Sequence, residues 1–134
     1  IGLAQLEKVN QFIEKRRDNF NYYYEHLKKF EDRLILPRWE QKSNPSWFCF
    51  PITLRKGVNI NSLIKHLEDV KIETRKVFSG NVLRQPGFKG IEHRIHGDLK
   101  NSDTIMKNTF FIGVYPGLTN EMREFVVRKF EEFF

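Results

Sequence analysis

The first thirty residues carry the clearest hydrophobic pattern of the chain. Apolar side chains recur every seven residues and are joined by others on the same stripe: Leu6, Ile13, Phe20 and Leu27, with Val9, Tyr23 and Phe30. This period predicts one long amphipathic helix over residues 1–30, about 45 Å in length at 1.5 Å per residue. A helix of that length is expected to pack partly outside a small core. A dimerising coiled coil is the competing interpretation, although Arg16 interrupts the stripe.

Two strands and a helix are predicted next. Residues 46–54 are rich in aromatic and β-branched side chains, which favour a strand with two faces: Phe48, Phe50, Ile52 and Leu54 on one, Trp47 and Cys49 on the other. Asn59 or Asn61 can cap a helix that buries three aliphatic side chains, Leu63, Ile64 and Leu67. Residues 72–78 are predicted as a second strand.

Residues 79–100 show no period and contain five Gly or Pro residues, so we predict a long loop there. Ser102 can cap a short helix. Residues 110–115 are then predicted as a buried strand, and Thr119 or Asn120 can cap a final helix. That helix should turn four side chains inward: Met122, Val126, Phe130 and Phe133. The order of elements predicts an α+β fold, a small mostly antiparallel sheet covered by helices with a long N-terminal helix.

Composition adds limits to this picture. The chain has 134 residues, 40% of them hydrophobic, which suits one domain. The opening residues 1–7 have no initiator Met and no helix cap, so we expect the chain to be a piece of a longer protein that begins within a helix. A net charge of +6 leaves nucleic acid, anionic lipid and phosphorylated ligands as possible partners.

The positive charge is concentrated in residues 71–100. This segment carries seven basic and three acidic side chains: Lys71, Arg75, Lys76, Arg84, Lys89, Arg94 and Lys100, against Glu73, Glu92 and Asp98. A solvated basic face is the simple interpretation. The more specific interpretation is an anion-binding site, because backbone amides of a glycine-rich loop and arginine side chains can both bind phosphate.

Other chemistry-bearing residues give weaker signals. His93 and His96 are three residues apart but lack the further ligands that a metal site needs. Asp103 is interpreted as a favourable first-turn carboxylate. Cys49 is the only cysteine, which excludes an internal disulfide, and its apolar neighbours favour an inert core position.

Four blocks of sequence carry a resemblance to a known family. They are FSGNVLRQP at residues 78–86, HR at 93–94, GDLKNSD at 97–103 and FIGVYPGLT at 111–119, and GLAQLE at residues 2–7 is similar to the interdomain helix of the same group. Together they resemble the nucleotide-sugar 3-dehydrases, the family of CDP-4-keto-6-deoxy-D-glucose-3-dehydrase, within the DegT/DnrJ/EryC1/StrS group of sugar aminotransferase-like proteins. The resemblance extends over essentially the whole chain.

The resemblance implies that the chain is the C-terminal small domain, residues 1–134, of a fold type I pyridoxal-phosphate enzyme. The parent would be a cytoplasmic dimer that uses pyridoxamine phosphate to remove the C3 hydroxyl of a CDP-4-keto-6-deoxy sugar in lipopolysaccharide and O-antigen biosynthesis. Its partner would be an iron–sulfur flavin reductase. The large domain would contain the cofactor site, the His that this family carries in place of the Schiff-base Lys, and any [2Fe-2S] cysteines. The chain alone should therefore be inactive and bind no cofactor or metal.

The same resemblance implies five substrate-binding residues. Asn81 and Arg84 are assigned to the nucleotide-sugar, Arg94 is expected as a second cation, and Phe78 and Trp47 are expected to line the sugar pocket unless they belong to the core. Aminotransferase relatives usually carry a His ahead of Leu-Gln-Pro, and residues 83–86 contain none, which favours dehydration over transamination.

A small basic RNA-binding module is the alternative of another class. It would display aromatic side chains next to Lys or Arg on one exposed strand face. Phe48, Phe50, Phe110 and Phe111 instead have apolar neighbours in the sequence. We therefore expect neither nucleic acid nor a membrane as a partner, and a sugar aminotransferase small domain remains the alternative within the family.

Overall fold

The computed structural model describes residues 2–134 and contains five α-helices and four strands within that range. The helices are α1 (Gly2–Leu6), α2 (Val9–Leu27), α3 (Ile60–Asp69), α4 (Lys100–Asn108) and α5 (Asn120–Phe133). The strands are β1 (Leu34–Ile35), β2 (Cys49–Leu54), β3 (Thr74–Lys76) and β4 (Thr109–Gly113). Short 3-10 turns occupy Lys28–Phe30, Val82–Arg84 and Pro86–Phe88.

The four strands form one antiparallel sheet in the order β1-β2-β4-β3. One face of the sheet is covered by α2, α3 and α5 and supplies fully or almost fully buried side chains to the core: Phe50, Ile52, Leu54, Phe110 and Ile112. The shorter helix α4 contacts β2 and β4. The predicted α+β fold with a small antiparallel sheet covered by helices is therefore confirmed.

The N-terminal helix differs from the prediction of one element over residues 1–30. The α-helical bonding is interrupted between α1 and α2, where Lys8 N donates to Gln5 O at 3.1 Å in a tighter turn. The second half of α2 supplies buried side chains to the core, including Phe20 and Leu27. Leu6 of the same stripe is 63% exposed. The start of the stripe thus lies outside the core formed by residues 2–134.

Trp47 and Phe48 lie opposite to their predicted faces. Trp47 contacts Phe20 on the helix side of the sheet, whereas Phe48 is 67% exposed. The reason is that the strand begins only at Cys49. Arg16 of α2 donates to the carbonyl oxygens of both residues 47 and 48, at 3.2 and 3.3 Å, and holds them in an irregular path before the strand alternation starts.

The strand predicted over residues 72–78 is also shorter than expected. It comprises Thr74–Lys76, and the chain turns on either side of it at Lys71 and Phe78, which have positive φ angles of 67° and 41°. Residues in that conformation cannot extend a β ladder. The buried strand predicted over residues 110–115 is observed as Thr109–Gly113.

Two predicted helix caps are confirmed and one is wrong. Asn59 Oδ1 accepts bonds from the backbone of α3, and Thr119 Oγ1 accepts one from Met122 N at 3.3 Å. Ser102 is not a cap, since α4 begins two residues earlier at Lys100. There the carboxylate of Asp98 accepts a bond from Lys100 N at 3.1 Å and starts the helix. None of the described helices is both long and apolar enough to cross a membrane.

Candidate functional site

Residues 78–88, hereafter the 78–88 loop, follow β3 and form a closely folded connection. The backbone turns at two positive φ angles, 41° at Phe78 and 60° at Gly80. The 3-10 turn Val82–Arg84 comes next, and Asn81 Oδ1 caps it by accepting a hydrogen bond from Leu83 N at 3.2 Å. A positive φ at a bulky aromatic residue is uncommon and strained, and such strain is concentrated at functional positions. The loop therefore has an internal structure that its sequence did not reveal.

Gly80 brings the loop directly against α4. A Cβ atom added to Gly80 would lie 2.5 Å from Met106 Cβ and 2.7 Å from Met106 Cα. Both distances are shorter than carbon atoms tolerate without displacement. Glycine is thus required here twice, by the close approach and by the positive φ.

Asp103, in the first turn of α4, joins the helix to the loop. Its Oδ1 atom accepts hydrogen bonds from Asn81 Nδ2 at 2.7 Å and from Arg84 Nε at 3.1 Å. Its Oδ2 atom accepts from Arg84 Nη2 at 3.0 Å, so the carboxylate and the guanidinium form a two-bond pair. We refer to Asn81, Arg84 and Asp103 as the Asp103 cluster. It connects residues 22 positions apart in the sequence.

The electrostatics of the Asp103 cluster favour its charged form. The hydrogen bonds from Arg84, and secondly from Asn81, lower the pKa of Asp103 to about 2. The same bond to Asp103 raises the pKa of Arg84 above its ordinary value. Because the carboxyl pKa lies well below neutrality, Asp103 is ionised and can hold Arg84 throughout the neutral and mildly acidic range.

Three phenylalanines form an aromatic patch beside the loop. The Phe48 and Phe78 ring centroids lie 6.5 Å apart at an interplanar angle of 25°, and both rings contact Phe111 of β4. Phe111 is 9% exposed, whereas Phe78 is 82% exposed. The patch therefore presents two rings to the surroundings from a buried aromatic base.

Two of the five predicted site residues, Trp47 and Arg94, take no part in the hydrogen bonds of the Asp103 cluster. Trp47 stacks on Phe20 with ring centroids 3.9 Å apart and an interplanar angle of 5°, in an aromatic cluster that also includes Trp39. Arg94 is exposed in the segment between the loop and α4. The structure thus brings Asn81 and Arg84 together, with Phe78 at the start of the same loop.

Sequence reasoning missed two features of this region. Asp103 was interpreted as a first-turn carboxylate, and it does lie in the first turn, but it also holds Asn81 and Arg84. The available signal was its place at the end of the resembling block 97–103. Phe48 was predicted to share a strand face with Phe50, Ile52 and Leu54, and no sequence signal separated it from those alternating residues.

Several cations of the basic segment are paired with carboxylates, of which Glu73 and Asp98 belong to the segment and Asp103 lies in α4. Arg75 pairs with Glu73 at 2.8 Å, Arg84 with Asp103 at 3.0 Å, and Lys100 with Asp98 at 2.7 Å. Three of its seven cations therefore have an acidic partner. These pairs engage cations that an RNA backbone would have to recruit, which weakens the case for an RNA-binding surface.

A cleft of about 670 Å³ lies elsewhere. It is enclosed by the turn between α3 and β3, the end of β4 and α5, and its walls are mainly apolar, with Ile72, Phe111, Leu118 and Phe125 among them. No serine, threonine or histidine lines it.

Metal and thiol chemistry receive no support from residues 2–134. Within this range no group of three or more His, Cys, Asp and Glu side chains could hold a metal ion. Cys49 is half-buried, and burial raises the pKa of its thiol, which disfavours the reactive thiolate.

Comparison with known proteins places this geometry in a family. The sequence profile of the DegT/DnrJ/EryC1/StrS aminotransferase family matches residues 1–131. The chain belongs to this family. Among curated proteins it is 52% identical over 135 residues to the lipopolysaccharide biosynthesis protein RfbH of Salmonella typhimurium, covering 99% of this chain and 31% of that protein.

Two further relatives carry enzyme names. The dTDP-4-dehydro-2,6-dideoxy-D-glucose 3-dehydratase of Saccharopolyspora spinosa is 39% identical over 135 residues, covering 99% of this chain and 29% of that protein. A solved structure of the E. coli GDP-4-keto-6-deoxy-D-mannose-3-dehydratase with bound hydrated PLP superposes with a TM-score of 0.84 at 25% identity, covering 96% of this chain and 33% of that one. The chain thus spans about a third of the length of each relative.

Proposed function

We propose that this chain is the C-terminal small domain of a longer nucleotide-sugar 3-dehydratase that uses pyridoxal or pyridoxamine phosphate. The parent would remove the C3 hydroxyl of a CDP-4-keto-6-deoxy sugar in lipopolysaccharide or O-antigen deoxysugar synthesis. Support comes from the identity of 52% with a lipopolysaccharide biosynthesis protein over nearly the whole chain and from two 3-dehydratase relatives. The choice of CDP rests on the resemblance stated from the sequence, since the two named 3-dehydratases act on dTDP and GDP sugars.

The observation that carries this proposal is the anchored arginine of the 78–88 loop. Arg84 is held through two of its nitrogens, yet its side chain remains 56% exposed, so the rest of its guanidinium can contact a ligand. A guanidinium with donors left over suits a phosphate or a sugar hydroxyl. We assign Arg84 to the nucleotide-sugar in this role.

The other predicted residues receive different roles in the proposal. Phe78 would cover the sugar, with Phe48 beside it, and Arg94 would supply a second cation. Both ends of the Asn81 amide are bonded inside the chain, so Asn81 supports the loop even if it also reaches the substrate. Trp47 would affect the sugar pocket only indirectly, because its ring stacks on Phe20 of α2.

The residues of this chain do not fit pyridoxal phosphate on their own. The cofactor's phosphate is typically held by several hydroxyl and amide donors, whereas the cleft of about 670 Å³ has mainly apolar walls, with Lys71, Arg75 and Arg128 but no Ser, Thr or His among its lining residues. We therefore assign the cofactor to the larger part of the parent, together with any [2Fe-2S] cluster. A homodimer and an iron–sulfur flavin reductase as electron donor complete the proposal.

The proposal is tested by the product that the full-length protein forms. Incubated with CDP-4-keto-6-deoxyglucose, pyridoxamine phosphate and an iron–sulfur flavin reductase with its electron source, it should give a nucleotide sugar that lacks the C3 oxygen, as read by mass spectrometry and NMR. A 4-amino sugar formed with glutamate would instead identify a sugar aminotransferase and overturn the dehydratase assignment.

Arg84→Ala in the same protein is expected to raise KM for the nucleotide sugar about 10-fold to 100-fold, because a charge-assisted hydrogen bond contributes roughly 1.5–3 kcal/mol. Arg75→Ala is the matched control, since Arg75 is also an exposed arginine paired with a carboxylate. Equal KM values for Arg84→Ala and the unmodified protein would remove Arg84 from the site.

A further inference from the structure

The bond pattern of Arg84 divides its guanidinium into two edges. The edge formed by Nε and Nη2 faces the carboxylate of Asp103, at 3.1 and 3.0 Å. A guanidinium has five N–H donors, so three remain, two on Nη1 and one on Nη2. The remaining Nη2 hydrogen and one Nη1 hydrogen form the end of the guanidinium and can serve a second oxygen-rich group with the same two-bond geometry, while the other Nη1 hydrogen points back toward Cδ.

The carboxylate of Asp103 is also held in place by groups other than Arg84. Its Oδ1 atom accepts a bond at 2.7 Å from Asn81, which is 4% exposed and whose own carbonyl is fixed by Leu83 N. The backbone of α4 supplies the second constraint, and Gly80 packs against that helix at Met106. The carboxylate orientation is therefore determined by groups that do not include Arg84.

We propose that Asp103 is a positioning residue: by holding the edge of Arg84 formed by Nε and Nη2, it aims the end of the guanidinium, formed by Nη1 and the free Nη2 hydrogen, at a phosphate or hydroxyl oxygen of the nucleotide-sugar. This inference rests on the proposed contact between Arg84 and substrate. Arginine is flexible, and fixing its rotamers in advance removes a cost in conformational entropy that would otherwise oppose binding. Asp103 thus contributes to substrate affinity without touching the substrate.

A purely structural bond between loop and helix is the competing explanation, and the two differ in how they depend on Arg84. A positioning role acts through Arg84 and disappears once Arg84 is removed. A structural role persists, because Asp103 also accepts a bond from Asn81. A double-mutant cycle separates the two.

The cycle uses the full-length enzyme with Arg84→Ala, Asp103→Asn and the double variant. Asp103→Asn keeps the size of the side chain but replaces one acceptor oxygen by a donor that cannot accept from Arg84. We expect KM for the nucleotide sugar to rise about tenfold while kcat changes less than twofold. In the Arg84→Ala background, Asp103→Asn should change KM less than twofold.

Asp69→Asn is the matched control, because Asp69 also accepts from a basic side chain, Lys65, at 2.7 Å on the exposed surface of α3. It should leave KM and kcat unchanged. Asp103→Glu is a second variant that preserves the charge but displaces the carboxylate by one methylene, and an intermediate KM is expected. Unfolding midpoints of all variants show that the enzymes compared are folded.

The outcomes separate this inference from the proposed function. If Arg84→Ala raises KM and Asp103→Asn does not, Asp103 is no positioning residue and the assignment of Arg84 stands. If Asp103→Asn raises KM equally in both backgrounds, its role is structural and the inference fails. If Arg84→Ala has no effect on KM, the contact between Arg84 and substrate is wrong, and the positioning role is overturned with it.

Discussion

Replacing Phe20 by alanine is expected to lower the free energy of unfolding of the chain by about 3–5 kcal/mol. Phe20 is fully buried and its ring lies 3.9 Å from Trp47 and 4.9 Å from Phe50, measured between centroids. Its loss leaves a cavity where α2, the sheet and the segment before β2 meet. Since small domains are stable by only about 5–15 kcal/mol, this is a large fraction of the total.

Urea unfolding followed by far-ultraviolet circular dichroism measures this effect. Phe48→Ala is the matched control, because it removes the same atoms from a side chain that is 67% exposed, and it should cost less than about 1 kcal/mol. Equal losses for Phe20→Ala and Phe48→Ala would mean that α2 does not pack on the sheet as described.

Replacing Gly80 by alanine is expected to separate the 78–88 loop from α4. The added Cβ would lie 2.5 Å from Met106 Cβ, and an alanine at a φ of +60° carries a further penalty of roughly 1–2 kcal/mol. Because the clash involves the Met106 backbone as well as its side chain, the loop has to move. That movement breaks the bonds of Arg84 and Asn81 to Asp103.

In the full-length enzyme, Gly80→Ala should therefore raise KM for the nucleotide sugar at least as much as Asp103→Asn, by about tenfold or more. Gly87→Ala is the control in the same loop, since nothing lies within 4 Å of a Cβ atom there. Crystal structures of the two variants would show the loop displaced in the first alone. An unchanged KM for Gly80→Ala would show that the loop does not need its contact with α4 for binding.

The sequence predicted the elements that packing and local capping specify. The apolar stripe identified α2, the β-branched and aromatic run identified β2, and the side chains of Asn59 and Thr119 cap α3 and α5 as expected. In these places the local preference and the tertiary structure agree, so the pattern is sufficient.

The failures occur where distant contacts override the local pattern. Arg16, interpreted as an interruption of the stripe, bonds to the carbonyl oxygens of Trp47 and Phe48 and so reverses their faces. The short β3 lies between positive φ angles at Lys71 and Phe78, which neither residue type predicts. The early start of α4 depends on the carboxylate of Asp98.

The candidate site was predictable as a segment but not as an arrangement. Charge, glycine content and the resembling blocks all indicated residues 78–103, and Asn81 and Arg84 do lie together there. The partner that unites them, Asp103, is 19 residues from Arg84 in the sequence and belongs to another element. Composition and spacing do not predict the contact between Asp103 and Arg84, because it forms only when Gly80 packs on α4.

In the proposed function, the 78–88 loop and the start of α4 face the nucleotide sugar in the parent enzyme. Hydrogen–deuterium exchange of the full-length protein, with and without a saturating CDP-4-keto-6-deoxy sugar, tests it most directly. We predict slower exchange of backbone amides in residues 79–88 and 100–104 when the sugar is bound, with no change in α5. Protection confined to other parts of the protein, with residues 78–104 unaffected at saturation, would contradict the account.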